Sequence, residues 1–281
     1  MIEIKGLSCG YGEKLVLKDI DLSIETGQFF GIIGPNGSGK TTMLKAVTRL
    51  MHIVKGEIFL DGADMKHLRA NDIARSLAVV SQTTPSLPMT VREFVLLGRI
   101  PYYKKLQFFE THNDNSIAER AMELTGIIHL KDALMSEMSA GEVQLAFIAR
   151  GLAQEPKVLL LDEPTSHLDI THQVGILDLV RRLNRQEGLT VVIILHDLNL
   201  ASEYCDTIAL IDNGRVKKCG QPSEVLNYKI IEEVYKTVVI VRESPLSGKP
   251  FLLIVSEEVK EKCQKESCSW AVRAVEKARM P

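Results

Sequence analysis

Residues 34–41, GPNGSGKT, combine residue types that can bind phosphate groups. Four residues separate Gly34 from Gly39, and Lys40 and Thr41 follow directly. Glycines allow backbone N–H groups to curl around phosphate oxygens, and a helix that begins here adds its partial positive charge. Lys40 can reach terminal phosphates, and the Thr41 hydroxyl can ligate Mg²⁺. The spacing predicts a nucleotide phosphate loop, although glycine-rich turns also serve as plain strand-to-helix connections.

Asp162 and Glu163 end the apolar run VLLL and form a second candidate for chemistry. Ligands of open α/β sheets bind at the carboxyl ends of the strands, where these carboxylates would lie. There Asp162 would hold Mg²⁺ through water, and Glu163 would orient and polarise an attacking water. Taken alone, the pair fits a strand that ends in a solvated turn. Together with the phosphate loop, it predicts a site.

The elements that must position these residues belong to two kinds of sheet. Near the start, residues 2–4, 20–25 and 56–62 alternate apolar and polar residues or end in an Asp-Gly turn, which indicates antiparallel strands. Later strands are continuous apolar runs, as in strands buried on both faces of a parallel sheet. These runs comprise residues 158–162, 191–195 and 208–211.

Helical patterns lie between the later strands and indicate an α/β core with crossover connections. Residues 174–183 carry such a pattern, and a helix at 42–50 is expected after the apolar segment 29–33 and the phosphate loop. From about residue 86 to residue 155 helical signals dominate, which predicts a helical insertion.

A phosphate loop alone permits a GTPase, a kinase or a helicase, and residues 136–169 reduce the number of nucleotide-binding families that fit. This segment, with the short signature MSAGE at Met138–Glu142, resembles the signature segment, Walker B strand and D-loop of ABC ATPases. The common form is LSGGQ; Ser139 and Gly141 hold their places and three of five positions differ. Ser139 and Glu142 also form an S-x-x-E capping box, which predicts a helix start with free N–H groups, although any isolated box predicts only a capped helix.

Three further positions match the same family in order. Gln82 matches the Q-loop glutamine, His196 the H-loop histidine, and Tyr11 the A-loop aromatic that stacks on adenine. Each taken singly is more often a solvated glutamine, a structural histidine or a packed tyrosine. Together with the signature they extend the resemblance over residues 1–228.

The resemblance implies an α/β fold: a P-loop NTPase core of ABC type with an N-terminal antiparallel β-subdomain, a helical subdomain and a C-terminal extension. The nucleotide-binding domain would cover 1–228, with its helical subdomain at about 86–155. The extension would cover 229–281 and hold a strand pair and a terminal helix. That helix, from residue 257 on, would either dock on its own domain or meet a second subunit and regulate closure.

The resemblance also implies the site residues. Residues that would act in catalysis are Glu163, His196, Gln82 and Lys40. Residues that would bind ATP are Tyr11, Gly34, Pro35, Asn36, Gly37, Ser38, Gly39, Lys40, Thr41, Thr42, Ser139, Gly141 and Asp169. Residues that would hold Mg²⁺ are Thr41, Gln82 and Asp162.

In this family two subunits clamp two ATP molecules in a head-to-tail homodimer. The resemblance therefore implies that Ser139 and Gly141 cover the nucleotide of the opposite subunit. Asp169 would link the two sites across the interface. ATP would stabilise the closed state through contacts that only this state provides.

The segment after Gln82, at residues 83–105, resembles that of importer ATPases for iron-siderophore complexes, haem and cobalamin. Thr90 and Glu93 form a capping box that predicts a helix from about residue 91. The implied partners are integral membrane permease subunits, which would contact residues 83–105, and indirectly a substrate-binding protein. The chain would then lie on the cytoplasmic face of the membrane as a peripheral subunit. An exporter ATPase, a soluble assembly ATPase and a non-hydrolysing binding module remain alternatives.

Composition agrees with this class of function. The 281 residues are 45% hydrophobic and 25% charged, with a net charge of −2, so nothing indicates a nucleic-acid-binding arm. No run approaches the roughly 18 apolar residues that span a bilayer, and the N-terminus lacks a signal-peptide pattern. The five cysteines form no CxxC pair and are expected to be reduced thiols.

Overall fold

Parallel strands buried on both faces form the central sheet of the computed structural model, which describes residues 1–81, 88–104, 107–256 and 258–259. The strand order is β10-β9-β3-β8-β7-β6, and every pairing is parallel except that of β9 with β10. The strands are β3 (Phe29–Ile33), β6 (Leu77–Val80), β7 (Val158–Asp162), β8 (Thr190–Ile194), β9 (Thr207–Asp212) and β10 (Arg215–Gly220). The predicted parallel sheet is confirmed.

An antiparallel sheet of order β2-β1-β4-β5 shares a buried cluster with the first helix of the chain. Its strands are β1 (Ile2–Tyr11), β2 (Lys14–Ile24), β4 (Ile53–Leu60) and β5 (Ala63–Asp64). Inward-facing side chains such as Ile4 and Ile20 share one buried cluster with Met43 and Leu160. The alternating pattern read from the sequence therefore reports burial of one face of this sheet.

The α-helices of the described residues pack on both faces of the central sheet and build the insertion. They are α1 (Lys40–Val47), α2 (Ala70–Ser76), α3 (Val91–Leu96), α4 (His112–Leu124), α5 (Ala140–Ala153), α6 (Ile170–Glu187), α7 (Leu198–Tyr204), α8 (Pro222–Val225) and α9 (Tyr228–Tyr235). Among these helices none combines the length and hydropathy needed to cross a lipid bilayer.

Helix α1 differs from its predicted range of 42–50, because it begins at Lys40 and ends at Val47. Arg49 adopts the left-handed conformation, with φ of 57°, and cannot continue the helix. Its guanidinium donates to the carbonyl oxygens of Met65 and Leu68 instead. This tertiary contact accompanies an end of the helix three residues before the end of the apolar pattern.

The helical insertion packs α3, α4 and α5 together. The rings of Phe94 and Phe147 lie 4.7 Å apart, and Val91 and Val95 are buried. These two valines belong to the insertion's own core, as the sequence indicated for some apolar residues of 83–105. Thr90 caps α3 in the predicted capping box with Glu93.

Strands β11 (Val239–Glu243) and β12 (Pro250–Ile254) pair antiparallel at the C-terminal end of the described chain. The ribbon lies on α7, where the Asn199 side chain accepts from the Leu252 N–H and the Ser202 hydroxyl donates to the Pro250 carbonyl. The helix expected from residue 257 lies outside the described residues except for Glu258 and Val259. Cys9, Cys205 and Cys219 form no disulfide in the described part of the chain, and Cys263 and Cys268 lie outside it.

Candidate active site

The phosphate loop lies between the end of β3 and the start of α1, at the carboxyl edge of the central sheet. Glycine is required at two of its positions. Gly34 has φ of 149°, and a Cβ there would lie 2.1 Å from the carbonyl oxygen of Ile211. Gly39 has φ of 111°, and a Cβ there would lie 2.7 Å from Cδ2 of Leu17. The sequence thus brings bare backbone N–H groups to the edge where a ligand would lie.

Lys40 is held inside this loop. Its side chain is 5% exposed, and its ammonium donates to the carbonyl oxygens of Gly34 and Pro35 at 2.8 Å and 3.0 Å. Burial lowers the pKa of Lys40, and the nearby carboxylates of Glu163 and Asp162 act in the opposite direction. An ammonium has three donors, so these two bonds leave one N–H for a ligand.

The hydroxyl of Ser38 points to the same ligand. The residue is buried, and within the described part of the chain its Oγ has no hydrogen-bond partner. An orphaned buried hydroxyl costs about 1–3 kcal/mol, which a phosphate oxygen would offset by accepting its proton. The loop therefore fits an anion that would satisfy both Ser38 and Lys40.

Thr41 and Asp162 approach each other across the edge of the sheet. The Thr41 hydroxyl donates to Oδ1 of Asp162 at 3.2 Å. Burial raises the pKa of Asp162, the Thr41 hydrogen bond lowers it, and the charge of Glu163 raises it further. A hydroxyl and a carboxylate are oxygen donors of the kind Mg²⁺ prefers, so the pair fits a magnesium site. In the described residues no cluster of three His, Cys, Asp or Glu side chains offers another metal site.

Glu163 and His196 come together at the ends of the neighbouring strands β7 and β8. Nε2 of His196 lies 2.5 Å from Oε1 of Glu163, and the Ser166 hydroxyl donates to Oε2 of Glu163 at 3.3 Å. Glu163 has φ of 52°, a left-handed conformation that costs a non-glycine residue about 1–3 kcal/mol. The His196 and Ser166 contacts fix the position of the Glu163 carboxylate at the edge of the sheet.

Tyr11 lies at the end of β1 and is 54% exposed. Lys45 on α1 donates to its hydroxyl at 3.4 Å and lies 5.9 Å from the ring centroid. The ring is therefore available on the surface beside the phosphate loop. Its predicted contact with adenine stays a prediction, and Gln82 lies outside the described residues.

Ser139 and Asp169 are the N-caps of helices α5 and α6. Ser139 caps α5 in the predicted capping box, because its N–H and hydroxyl donate to Glu142 at 2.8 Å and 2.7 Å. Asp169 caps α6 by accepting from the N–H of His172 at 2.9 Å. Both helix starts offer free N–H groups to an anion.

Sequence patterns did not single out Ser166, Lys45 or His172, although all three contact predicted site residues. Ser166 and His172 lie three residues from Glu163 and Asp169, so a local signal existed at turn spacing. Lys45 and Tyr11 are far apart in the chain and meet only because β1 packs beside α1. The structure brings Lys40, Thr41, Asp162, Glu163 and His196 together, and their individual roles stay predictions.

Comparison with known proteins agrees with this geometry. Residues 17–166 match the family model described as "ABC transporter". The chain is 37% identical over 92% of its length to the uncharacterized ABC transporter ATP-binding protein YvrA of Bacillus subtilis, and spans 58% of that protein. It is 37% identical to the ferric enterobactin transport ATP-binding protein FepC of Escherichia coli, over 88% of this chain and 91% of FepC.

A further relative is the iron(3+)-hydroxamate import ATP-binding protein FhuC of Bacillus subtilis, 35% identical over 88% of this chain and 92% of FhuC. The fold resembles a metal-chelate type ABC transporter solved in an inward-facing conformation, with TM-score 0.80, 23% identity and coverage of 92% and 98%. It also resembles the ATP-binding cassette MJ0796, a dimer bound to ADP and Pi after hydrolysis, with TM-score 0.69, 28% identity and coverage of 79% and 99%.

Proposed function

This chain belongs to the ABC transporter family as an ATP-hydrolysing ATP-binding protein, and from that premise we propose that it powers import of a metal chelate. The cargo would be an iron-siderophore complex or a related chelate such as haem or cobalamin. The observation that carries the import direction is the similarity to FepC and FhuC, whose names state transport of ferric enterobactin and import of iron(3+)-hydroxamate. Membrane passage would be provided by separate permease subunits, supplied in turn by a substrate-binding protein.

The described residues support a division of labour in hydrolysis. Lys40 and Ser38 bind and orient the terminal phosphates, since one has an N–H to spare and the other lacks a partner. Glu163 holds the attacking water and takes up its proton, and His196 keeps the Glu163 carboxylate in place. Thr41, Asp162 and Gln82 would hold Mg²⁺, which supplies charge neutralisation to the phosphates when bound.

A second copy of the chain completes the site in this proposal. Dimeric relatives of known structure support it, because the MJ0796 cassette is a dimer in its post-hydrolysis state. Ser139, Gly141 and Asp169 of one copy would cover the nucleotide of the other. The permease would contact residues 83–105, and Leu97 and Ile100 are exposed apolar side chains in the described part of that segment. The chain would thereby sit at the cytoplasmic face of the membrane.

Uptake in whole cells tests the proposal. Cells lacking the chain receive either the wild type or Glu163→Gln and are given radiolabelled ferric siderophore, haem or cobalamin. We expect one label to accumulate only with the wild type, because a cassette that cannot hydrolyse ATP cannot reset its transporter. Equal uptake of all three labels in every strain would contradict import. Faster loss of a preloaded compound with the wild type than with Glu163→Gln would favour an exporter instead.

A further inference from the structure

The two exposed helix starts of the site, those of α5 and α6, meet at the imidazole of His172. Gly141 is buried in the first turn of α5, and His172 lies in the first turn of α6. A Cβ on Gly141 would lie 2.4 Å from Cδ2 and 3.0 Å from Nε2 of His172. Real Cβ atoms do not approach carbon so closely, so the observed imidazole position requires glycine at 141.

The other edge of the same imidazole holds Asp169. Nδ1 of His172 donates to Oδ1 of Asp169 at 2.8 Å, and the His172 backbone N–H donates to the same oxygen at 2.9 Å. These hydrogen bonds lower the pKa of Asp169, which is therefore an ionised acceptor and fixes the proton of His172 on Nδ1. The orientation of the ring is thus determined from both sides.

Fold stability gives little reason for this arrangement. The side chains of His172 and Asp169 are 50% and 66% exposed, and exposed pairs at this spacing contribute little to stability. What the imidazole does achieve is to set the position of Asp169 relative to Gly141, which lies in a different subdomain.

We infer that His172 is a positioning residue that joins the signature segment, Met138–Glu142, to Asp169, so that both reach a second copy's nucleotide as one unit. The inference rests on the proposed function, because the positioned residues act only in the closed dimer. Nothing in the family-derived roles of Ser139, Gly141 and Asp169 assigns a part to His172.

Dimerisation in the Glu163→Gln background tests this assignment. The dimer dissociation constant in saturating Mg·ATP is measured by sedimentation, and nucleotide affinity of the monomer by a fluorescent ATP analogue. We expect His172→Ala to weaken the dimer about tenfold, a typical coupling between sites. Monomer affinity and melting temperature should stay unchanged, as should all properties of the matched control Thr171→Ala, which changes the exposed neighbour.

His172→Asn provides rescue. The asparagine amide occupies the near half of the imidazole, with its N–H₂ in the place of Nδ1 and its oxygen in the place of Cδ2. It keeps the contact with Asp169 and the surface against Gly141, so we expect a dimer within about twofold of the parent. A histidine without a positioning role would be replaced equally well by asparagine and by alanine.

A double-mutant cycle tests the steric half of the inference. Gly141→Ala should weaken the dimer strongly, because its Cβ collides with His172. In the His172→Ala background the same change should cost little more, because the colliding ring is gone. Additive effects would overturn the coupling, and so would His172→Ala that dimerises like its parent. If Glu163→Gln itself fails to bind ATP or to dimerise, the proposed function falls and the inference falls with it.

Discussion

The phosphate-loop half of the site (residues 34–42 with Asp162 and Glu163) and the signature half (residues 138–142 with Asp169 and His172) treat their charges in opposite ways. In the first half burial lowers the pKa of Lys40 and raises that of Asp162, so each group is held where its charge is disfavoured. In the second half hydrogen bonds from Ser139 lower the pKa of Glu142, and those from His172 lower the pKa of Asp169. There the hydrogen bonds stabilise the ionised form of each carboxyl group.

This difference suits a chain whose phosphate-loop half would bind nucleotide first and whose signature half would act later, in a dimer. The phosphate-loop half is built in the core and is unsatisfied, as the orphaned Ser38 hydroxyl shows, so a triphosphate with its metal would relieve it. The signature half consists of satisfied helix caps on the surface, and in the proposed dimer it would gain a ligand only when another copy brings a nucleotide to it. Removing a charge from the phosphate-loop half should therefore stabilise the nucleotide-free protein, whereas removing a cap from the signature half should destabilise it.

The largest effect is expected for Glu163→Gln. Loss of the carboxylate that takes up the proton of water should lower kcat by about 100-fold or more, the usual contribution of a general base. Nucleotide affinity should remain, because Lys40 and the loop N–H groups are untouched. Steady-state phosphate release and equilibrium nucleotide binding measure the two quantities. Turnover near the wild-type rate would remove Glu163 from the role proposed for it.

Asp162→Asn should raise the stability of the nucleotide-free protein while it damages function. Ionisation of a carboxyl whose folded-state pKa is raised opposes folding above that pKa, so removing the charge should increase the melting temperature by about 2 °C at pH 7. The concentration of Mg²⁺ for half-maximal hydrolysis should rise about tenfold or more.

Thermal unfolding between pH 3 and pH 8 checks the electrostatic reason for the Asp162 effect. The stabilisation by Asp162→Asn should disappear at the acid end, where the wild-type carboxyl is protonated and neutral. A lower melting temperature of the variant at pH 7 would mean that the phosphate-loop half is not strained by this charge.

Much of the backbone around the site could be predicted from the sequence because its signals are local. The glycine spacing, the apolar run before Asp162 and Glu163 and the capping boxes at Thr90 and Ser139 all lie within a few residues, and the strands and both boxes are confirmed. Such patterns report backbone conformation and burial directly.

Contacts across the fold could not be predicted in the same way. The approach of His196 to Glu163 depends on β8 lying beside β7, and that of His172 to Gly141 depends on how the helical insertion packs on α6. The end of α1 at Val47 depends on carbonyl groups some sixteen to nineteen residues further on, which accept from Arg49. Single-sequence patterns contain no record of these partners.

The smallest effect is expected in the signature half. Ser139→Ala removes an N-cap and should destabilise the nucleotide-free protein by about 1 kcal/mol, opposite in sign to Asp162→Asn. Because the pKa of Glu142 is lowered in the folded state, its ionised carboxylate stabilises the fold above the unfolded-state pKa. This stabilisation is lost as the pH falls through the folded-state pKa. Denaturant unfolding at pH 7 and pH 3 should show the difference shrinking in acid; an equal loss at both would exclude the Glu142 carboxylate from the cap.

Molar mass in solution tests most directly the claim that the two halves complete each other only across two copies. Light scattering of Glu163→Gln should give a mass near the chain's 31.3 kDa without nucleotide and about twice that with saturating Mg·ATP. Adding Ser139→Glu, which places a negative charge where the partner's phosphates must lie, should keep the mass at the monomer value although ATP still binds. A mass that stays monomeric in Glu163→Gln with ATP bound, or that doubles equally well with Ser139→Glu, would contradict the account.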